Sequence, residues 1–481
     1  MDYPFKTVPY AHQKTALEKS WDKDAYGLFM EMGTGKSKVL LDSMAMLYDQ
    51  GHINGALIIA PKGVYRNWQR QEIPTHLPEH IEDFTVAWTP TPNKLDKSLL
   101  ESIIKDPKDL TIDILLMNVE ALRTIKGARF AERFLKGHRA LMCVDESTTI
   151  KNPQAQQTKN ILKLGTLAKY KRILTGSPIT KDPIDLFSQC EFLDPNILGF
   201  SSYYSFKNRY CIQVKTNVGT HTFNKVVGYR HLDELSDILS KHSYRVLKDE
   251  CLDLPEKIYT KRIVELTKEQ QKAYNEMKEF AIAEVEKAGT VTATTVMTQL
   301  LRLHQISCGH LTTEDKKVVT FKNNRIKELM NILDETDGKV IIWANYRQDI
   351  RNIRDEIQKE YGVDSVATYY GDTPDKERQG IVEKFQSPGS SLRFFVGNQQ
   401  TAGFGLTLTA ANTVVYYSNN YDLEKRIQSE DRAHRIGQKN NVTYVDLIAE
   451  KTVDEKIVKS LQKKINIAAK VLGEDIREWL T

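Results

Sequence analysis

The stretch Leu28-Phe-Met-Glu-Met-Gly-Thr-Gly-Lys-Ser37 decides how the rest of the chain is read. Apolar residues run up to Met30, glycines stand at 33 and 35, and a helix-forming run begins at Lys36. A strand, a glycine turn and a helix in that order cradle phosphates. Glycines let the backbone curl so that successive N–H groups point at an anion, and the helix N-terminus adds partial positive charge. On this reading Lys36 reaches the outer phosphates and Ser37 holds a magnesium ion. The strict phosphate-loop pattern has a glycine where Met30 stands. The strand–loop–helix context therefore carries the reading, against the alternative of a chance glycine turn.

Outward from the loop, short apolar runs recur at 26–30, 56–60, 112–117, 140–144 and 172–174, with helix-like stretches such as 36–48 and 156–164 between them. Strands alternating with helices imply right-handed crossovers and a parallel sheet covered on both faces. After about residue 195 the chain turns aromatic, basic and irregular. A polar alternating piece at 213–229 predicts a hairpin, and helical runs follow at 267–288 and 296–304. Alternation resumes at 340–343, 365–370, 394–396, 413–417 and 442–447, and an amphipathic run at 453–472 predicts a closing helix. The chain thus reads as α/β, with two lobes in tandem that meet near 250–260, each carrying a helical insertion.

Composition limits what such lobes can be. A chain of 481 residues makes about three compact units or two large lobes with insertions. Apolar residues are 40% and charged residues 27%, which excludes disorder as the overall state. The 68 Lys and Arg against 63 Asp and Glu leave a net charge of +5, too small a balance to decide for or against nucleic acid. No apolar run approaches the roughly 18 residues that span a bilayer, and the start MDYPFKTVPY has no signal core. No membrane partner is expected. The cysteines, at 143, 190, 211, 251 and 308, are odd in number and form no C-x-x-C pair. They read as scattered thiols of a reducing cytoplasm rather than a disulfide framework or a zinc cluster.

Two further constellations carry chemistry. In Leu141-Met-Cys-Val-Asp-Glu146 a predicted strand ends in two acids. Strand carboxyl ends point into the ligand crevice of a parallel sheet. There Asp145 can bind magnesium, and Glu146 can take a proton from an attacking water. A solvated pair at a helix start is the alternative when the acids are taken alone. The turn Arg172-Ile-Leu-Thr-Gly-Ser-Pro178 places Thr175 and Ser177 after another strand, and spacing alone does not separate function from an ordinary turn there. Finally, Gln428-Ser-Glu-Asp-Arg-Ala-His-Arg-Ile-Gly-Gln438 predicts a helix on which Arg432 and Arg435, three apart, share a face. From a second lobe such arginines would neutralise transition-state charge. The competing account is a solvated helix whose acids pair with those arginines.

In this order the pieces resemble the superfamily-two helicases, and specifically the Swi/Snf-type DNA translocases that include the chromatin remodellers. The resemblance covers nearly the whole chain. Pro9-Tyr-Ala-His-Gln13 resembles the adenine-reading Q element, with Gln13 as reader. Met32-Gly33-Thr34-Gly35-Lys36-Ser37 is similar to motif I, Ala60-Pro-Lys62 with Trp68 to motif Ia, and Met117-Asn118-Val-Glu120 to motif Ib. Asp145-Glu-Ser-Thr148 with Ile150-Lys-Asn152 is similar to motif II, and Leu174-Thr-Gly-Ser-Pro178 to motif III. In the second half, Lys339-Val-Ile-Ile-Trp-Ala-Asn-Tyr346 resembles motif IV and Tyr370-Gly-Asp-Thr373 motif IVa. Thr401-Ala-Gly-Phe-Gly-Leu-Thr-Leu-Thr-Ala410 resembles motif V. Gln428 through Gln438 resembles motif VI, and its R-A-H-R-I-G-Q ending is the most specific single string. Arg245 through Lys257 resembles the link between lobes. Motif II reads D-E-S-T where the family usually has D-E-x-H, which leaves Thr148 at the histidine position.

The resemblance implies two RecA-like parallel-sheet lobes in tandem. Lobe 1 spans 1–252 with a helical protrusion at about 197–252. Lobe 2 spans 253–481 with a protrusion at about 262–322 and a C-terminal helix at about 453–472. The implied cofactors are ATP and Mg2+. The implied nucleotide contacts are Gln13, Met32 through Ser37 and Gly403. Lys36, Asp145, Glu146, Gln428, Arg432 and Arg435 take catalytic roles, and Ser37 and Asp145 the metal. The implied nucleic-acid contacts are Lys62, Arg66, Asn118, Asn345, Tyr346, Thr373, Gln400 and Thr401. Read from its residues, the aromatic run 203–210 is a packed helical insertion, with a DNA-facing patch as the alternative. The expected activity is ATP-dependent translocation on double-stranded DNA. The alternatives are a strand-separating or strand-annealing helicase, and the DNA-binding motor subunit of a nuclease or restriction-type complex. With no chromodomain-like, zinc or bromodomain-like segment, the expectation is a bare motor of a bacterium or phage, acting in the cytoplasm. A nuclease, methylase or replication/repair protein is the class of protein partner that would fit.

Overall fold

The computed structural model describes residues 3–62, 64–105, 110–218, 221–287, 293–313, 315, 317–402 and 406–472. The chain divides into two compact units. The first is Met1–Cys211, Tyr229–Asp253 and Ile467–Asp475; the second is Ile212–Gly228, Leu254–Asn466 and Ile476–Thr481.

The strands of the first part of the chain, in order, are β1 (Ala25–Met30), β2 (Gly55–Ala60), β3 (Asp83–Ala87), β4 (Ile112–Asn118), β5 (Ala140–Asp145), β6 (Tyr170–Leu174), β7 (Cys211–Val218), β8 (His221–Tyr229) and β9 (Ser243–Val246). All but β7 and β8 form one sheet in the order β3-β4-β2-β5-β6-β1-β9. Every pairing in it is parallel. The apolar runs β2, β4 and β5 are buried along their whole length, as strands covered on both faces must be. Edge strand β3 is mostly half-exposed. The core packs β1, β2, β4 and β5 against the helix Lys36–Asp49, with Trp68 and Ile73 among the buried residues.

The second unit contains β10 (Lys257–Val264), β11 (His310–Thr312), β12 (Val318–Thr320), β13 (Lys339–Trp343), β14 (Val366–Tyr369), β15 (Phe394–Gly397), β16 (Ala411–Tyr416) and β17 (Val442–Ala449). Six of these make a second parallel sheet, β10-β17-β16-β13-β15-β14. Two clusters, one on each face, complete its core. Among the described residues no helix is long and apolar enough to cross a membrane.

The α/β reading with two parallel-sheet lobes is the observed architecture. The stretch expected as a helical protrusion at 197–252 is mixed. It holds the helices Tyr203–Tyr210 and Leu232–His242, the paired strands β7 and β8, and β9, which joins the first sheet beside β1. The aromatic run is packed on one side only: Phe206 and Tyr210 are fully buried, and their rings lie against Phe200, with Phe206 also against Phe187, while Tyr204 is exposed.

Candidate active site

The chain leaves β1 into a turn in which Gly33 and Gly35 have φ of 82° and 90°. A side chain is strained in that left-handed region. At Gly35 it would also collide, since a Cβ there lies 2.1 Å from Gln13 Nε2. Gln13 seals the turn from outside. Its Nε2 donates to the Thr34 carbonyl at 3.0 Å and its Oε1 accepts from Tyr10 N at 3.0 Å. His12 Nε2 donates to the same carbonyl at 2.8 Å. Each end of the Gln13 amide keeps one further bonding position. Thr34 closes the turn from Oγ1 to the Glu31 carbonyl at 2.7 Å. Lys36, at the start of the helix, is buried, and its Nζ donates to the Met30 and Glu31 carbonyls at 2.9 and 3.4 Å.

The sheet order explains why distant motifs meet here. In β5-β6-β1-β9 the carboxyl ends of four neighbouring strands lie side by side. They deliver Asp145 and Glu146, the turn 175–178, the glycine turn, and Arg245 with Lys248. Asp145 is buried and held by two donors, Trp68 Nε1 at 3.1 Å and Glu146 N at 3.0 Å. Burial raises its carboxyl above the ordinary range, while the Lys36 charge and the two donors oppose that shift. Glu146 adopts a left-handed φ of 48°, a costly state for a residue with a side chain and one found mostly where surroundings enforce it for a function. The turn after β6 presses on the glycine turn, where a Cβ on Gly176 would sit 3.1 Å from Met32 N.

Sequence reasoning missed two members of this site. Arg245, on β9, donates from Nη1 to the Phe29 carbonyl at 3.0 Å and to the Gly176 carbonyl at 2.9 Å. It thereby ties β1 to the turn after β6. Trp68, quoted only as part of a motif, anchors Asp145. The hard oxygens of Ser37 and Asp145 suit Mg2+, which takes few protein ligands and keeps several waters. The two donors leave each Asp145 oxygen further lone pairs. These residues would hold the ion.

The other half of the same rim, at the ends of β2 and β4, bears the expected nucleic-acid contacts of the first unit. Lys62 and Arg66 are exposed. Arg66 Nε donates to Tyr65 Oη at 3.0 Å. Asn118 is buried, and its Oδ1 caps the turn at Ala121 N at 2.8 Å.

In the second unit Asn345, Thr373, Gln400 and Thr401 follow β13, β14 and β15, which are neighbours in the sheet. A polar web joins these ends. Asn398 Nδ2 donates to the Asn345 carbonyl at 2.8 Å, Asn345 N to Ser418 Oγ at 2.9 Å, and Asn420 Nδ2 to Gln399 Oε1 at 3.2 Å. Tyr346 bonds His304 Nδ1 through its hydroxyl at 2.9 Å. Thr373 is buried, and its hydroxyl closes its own turn on the Thr368 carbonyl at 3.0 Å. Beside this web lies a cavity of about 260 Å³ walled by Leu300, Leu301, Tyr421 and Ile457.

The arginine element corrects one expectation. The helix ends at Glu430, so Arg432 and Arg435 stand on the turns beyond it and share no helix face. They converge all the same. Arg432 Nη1 donates to the Leu406 carbonyl at 3.2 Å, and Arg435 Nη1 to the same carbonyl at 3.4 Å and to Thr407 Oγ1 at 3.0 Å. Arg432 is only 2% exposed and also bonds the Gln428 carbonyl at 2.8 Å, whereas Arg435 is half-exposed. Of the acids in this segment, Glu430 takes Arg426 Nε at 2.8 Å and Tyr259 Oη at 2.7 Å. Gly403 lies outside the described residues.

Residues 12–311 match the model of the SNF2-related domain, and residues 322–437 that of the helicase conserved C-terminal domain. An uncharacterized ATP-dependent helicase of Mycoplasma pneumoniae is 26% identical over 447 residues, covering 93% of this chain and 40% of that protein. A Caenorhabditis elegans homolog of SWI/SNF-related matrix-associated actin-dependent regulator of chromatin subfamily A-like protein 1 is 28% identical over 468 residues, covering 96% and 61%. The solved Sulfolobus solfataricus SWI2/SNF2 ATPase core in complex with double-stranded DNA is 26% identical and covers 95% of this chain and 92% of that one, at a TM-score of 0.44. The chain spans about two-fifths of the length of the first of these relatives. With the glycine turn, the acid pair and both Arg432 and Arg435 within the matched segments, the chain belongs to the SNF2-related family.

Proposed function

We propose that this chain hydrolyses ATP to move along double-stranded DNA. One observation carries the reading: in the first sheet the acid pair at the end of β5 and the glycine turn at the end of β1 are separated only by β6, whose own turn touches the loop. On this reading the glycine turn and Lys36 take the phosphates, with Gln13 beside the base. Glu146 accepts the proton as water attacks the terminal phosphate and ADP leaves. Magnesium, held by Ser37 and Asp145, would neutralise phosphate charge. Arg435, anchored with Arg432 on the Leu406 carbonyl, would stabilise the charge spread over the transferring group. Gln428 would orient that arginine element, and Gly403 would touch the nucleotide from motif V.

The track is read from the two rims. Lys62, Arg66, Asn118, Asn345, Tyr346, Thr373, Gln400 and Thr401 would grip the sugar–phosphate backbone, a sequence-independent and salt-sensitive contact. Two lobes gripping alternately turn closure and opening into a step, because only contacts that differ between states drive movement. Steady-state ATPase with double-stranded DNA, single-stranded DNA and RNA as separate stimulants tests the reading. Strongest stimulation by duplex, with release of the third strand from a triplex and no opening of the duplex, is expected. Displacement of one strand of a duplex would overturn translocation without unwinding, and strongest stimulation by RNA would overturn the track.

A further inference from the structure

Two side-chain bridges bind the turn that bears the acid pair to the turn after β6. In the first, Ser147 Oγ donates to Gln189 Oε1 at 2.6 Å. Gln189 Nε2 then donates to the carbonyls of Pro178 and Asp185, both at 2.8 Å. In the second, Lys151 Nζ donates to Thr180 Oγ1 at 2.7 Å, and that hydroxyl donates to Asp185 Oδ2 at 3.1 Å. The same carboxylate oxygen accepts Thr180 N at 3.0 Å and Lys181 N at 2.8 Å. Both bridges end on Asp185, one on its carbonyl and one on its carboxylate.

Ser147 and Gln189 are fully buried. A buried primary amide is tolerated only when its donors and acceptor are all used, and a satisfied one fixes geometry that an apolar side chain would leave loose. What it fixes here is the residue next to Ser147. Glu146 is held in its left-handed backbone by Asp145 Oδ1 on its N–H and by Thr149 N on its carbonyl at 3.0 Å. Ser147, clamped to Gln189, keeps the following peptide from relaxing. The position next to it, Thr148, is where the related motif has histidine, and Ser147 supplies one link from the acids to the neighbouring turn in this chain.

We propose that Gln189 is a positioning residue. Acting through Ser147, it fixes the backbone that presents Glu146 and makes the acid turn and the turn after β6 move as one body. The inference rests on the reading of Glu146 as the base. Its test is the ATP dependence of hydrolysis by the full chain, with saturating duplex DNA, for Ser147→Ala, Gln189→Leu and the double variant. A displaced base costs turnover rather than affinity, so kcat should fall by about 10- to 100-fold in each single variant with KM within about twofold. The double variant should be no slower than the slower single, because both break one link. Wild-type kcat in Ser147→Ala, losses that multiply in the double variant, or a parallel rise in KM with a drop in melting temperature would each overturn the proposal. Glu146→Gln separates the two ideas: normal hydrolysis by that variant removes the base itself, whereas normal hydrolysis by Ser147→Ala removes only the positioning role.

Discussion

The two units share one kind of parallel sheet and use it differently. In the first, the glycine turn, the acid pair and the expected DNA contacts all stand on the carboxyl rim, divided between β5-β6-β1-β9 and β4-β2. In the second, Asn345, Gln400, Thr401 and Thr373 stand on the carboxyl rim, but Arg432 and Arg435 do not. They bond residues just ahead of β16, which begins at Ala411. The helix Leu423–Glu430 carries the chain from one end of the sheet to the other, and Gln438 fastens the far loop to the carbonyls of Thr409 and Ala411 at 3.2 and 2.9 Å. On the proposed roles, binding at strand carboxyl ends is therefore a rule that the first unit obeys throughout and the second obeys for only one of its two tasks.

That contrast can be broken at several points. The largest effect is expected at the amino-end arginine. Arg435→Ala should lower kcat by about 10³-fold or more if it is the finger, and a loss below about threefold would remove it from that role. On the carboxyl rim of the first unit, Glu146→Gln should lower kcat by about 10²- to 10⁴-fold, while fluorescent-nucleotide titration shows ATP binding unchanged. Next come the exposed cations of the β2-β4 half of that rim. Lys62→Ala and Arg66→Ala should each reduce the slope of log affinity against log salt by about one, measured by duplex-binding anisotropy. No change in slope would place them off the track.

The smallest expected effect is on stability, and here the units differ in sign. Asp42, on the helix that follows the phosphate loop, is pushed up to about 6 by burial despite its 2.8 Å pair with Lys38. A raised carboxyl favours the folded state while protonated. Its contribution is full below about pH 4 and lost as the pH rises through about 6, at most about 3 kcal/mol at 1.36 kcal/mol per unit. His304 in the second unit is pushed down by burial, against the opposing pull of Asp454. It favours folding while neutral, so its contribution is full above about pH 6.5 and is lost as the pH falls from there. Thermal melts of the full chain between pH 4 and 8 should show a flatter acid-side gain in Asp42→Asn and a smaller acid-side loss in His304→Gln. Identical pH profiles in both variants and the parent would refute the contrast.

How much of this was legible depended on whether a feature is local. Largely apolar runs became β1, β2, β4, β5 and β13 because a strand buried on both faces favours apolar residues, and the buried Asp113 of β4 is paired with His138. Edge strands β9 and β10 escaped, although edge strand β14 falls on the run at 365–370. β10 alternates half-buried with exposed positions and β9 has only four residues, two of them half-buried, so neither announces itself as core. The phosphate loop was readable because its chemistry is contiguous. Arg245 was not: its function is set by Phe29 and Gly176, 216 and 69 positions away. Trp68 gains its role from Asp145, 77 positions on, and Gln189 from Ser147, 42 positions back.

The sequence alone determined the two-lobed α/β class, the glycine turn with its lysine, and the acid pair after a strand. Each is written in neighbouring residues, through the strand and helix periods and the backbone freedom of glycine. The tertiary structure decided which strands lie side by side, and hence that four distant turns crowd one half of a rim. It also placed the arginines on turns beyond their helix and gave Arg245 and Gln189 their partners. Strand order and side-chain partnership are long-range choices, settled by how whole layers bury their faces and satisfy their buried polar groups.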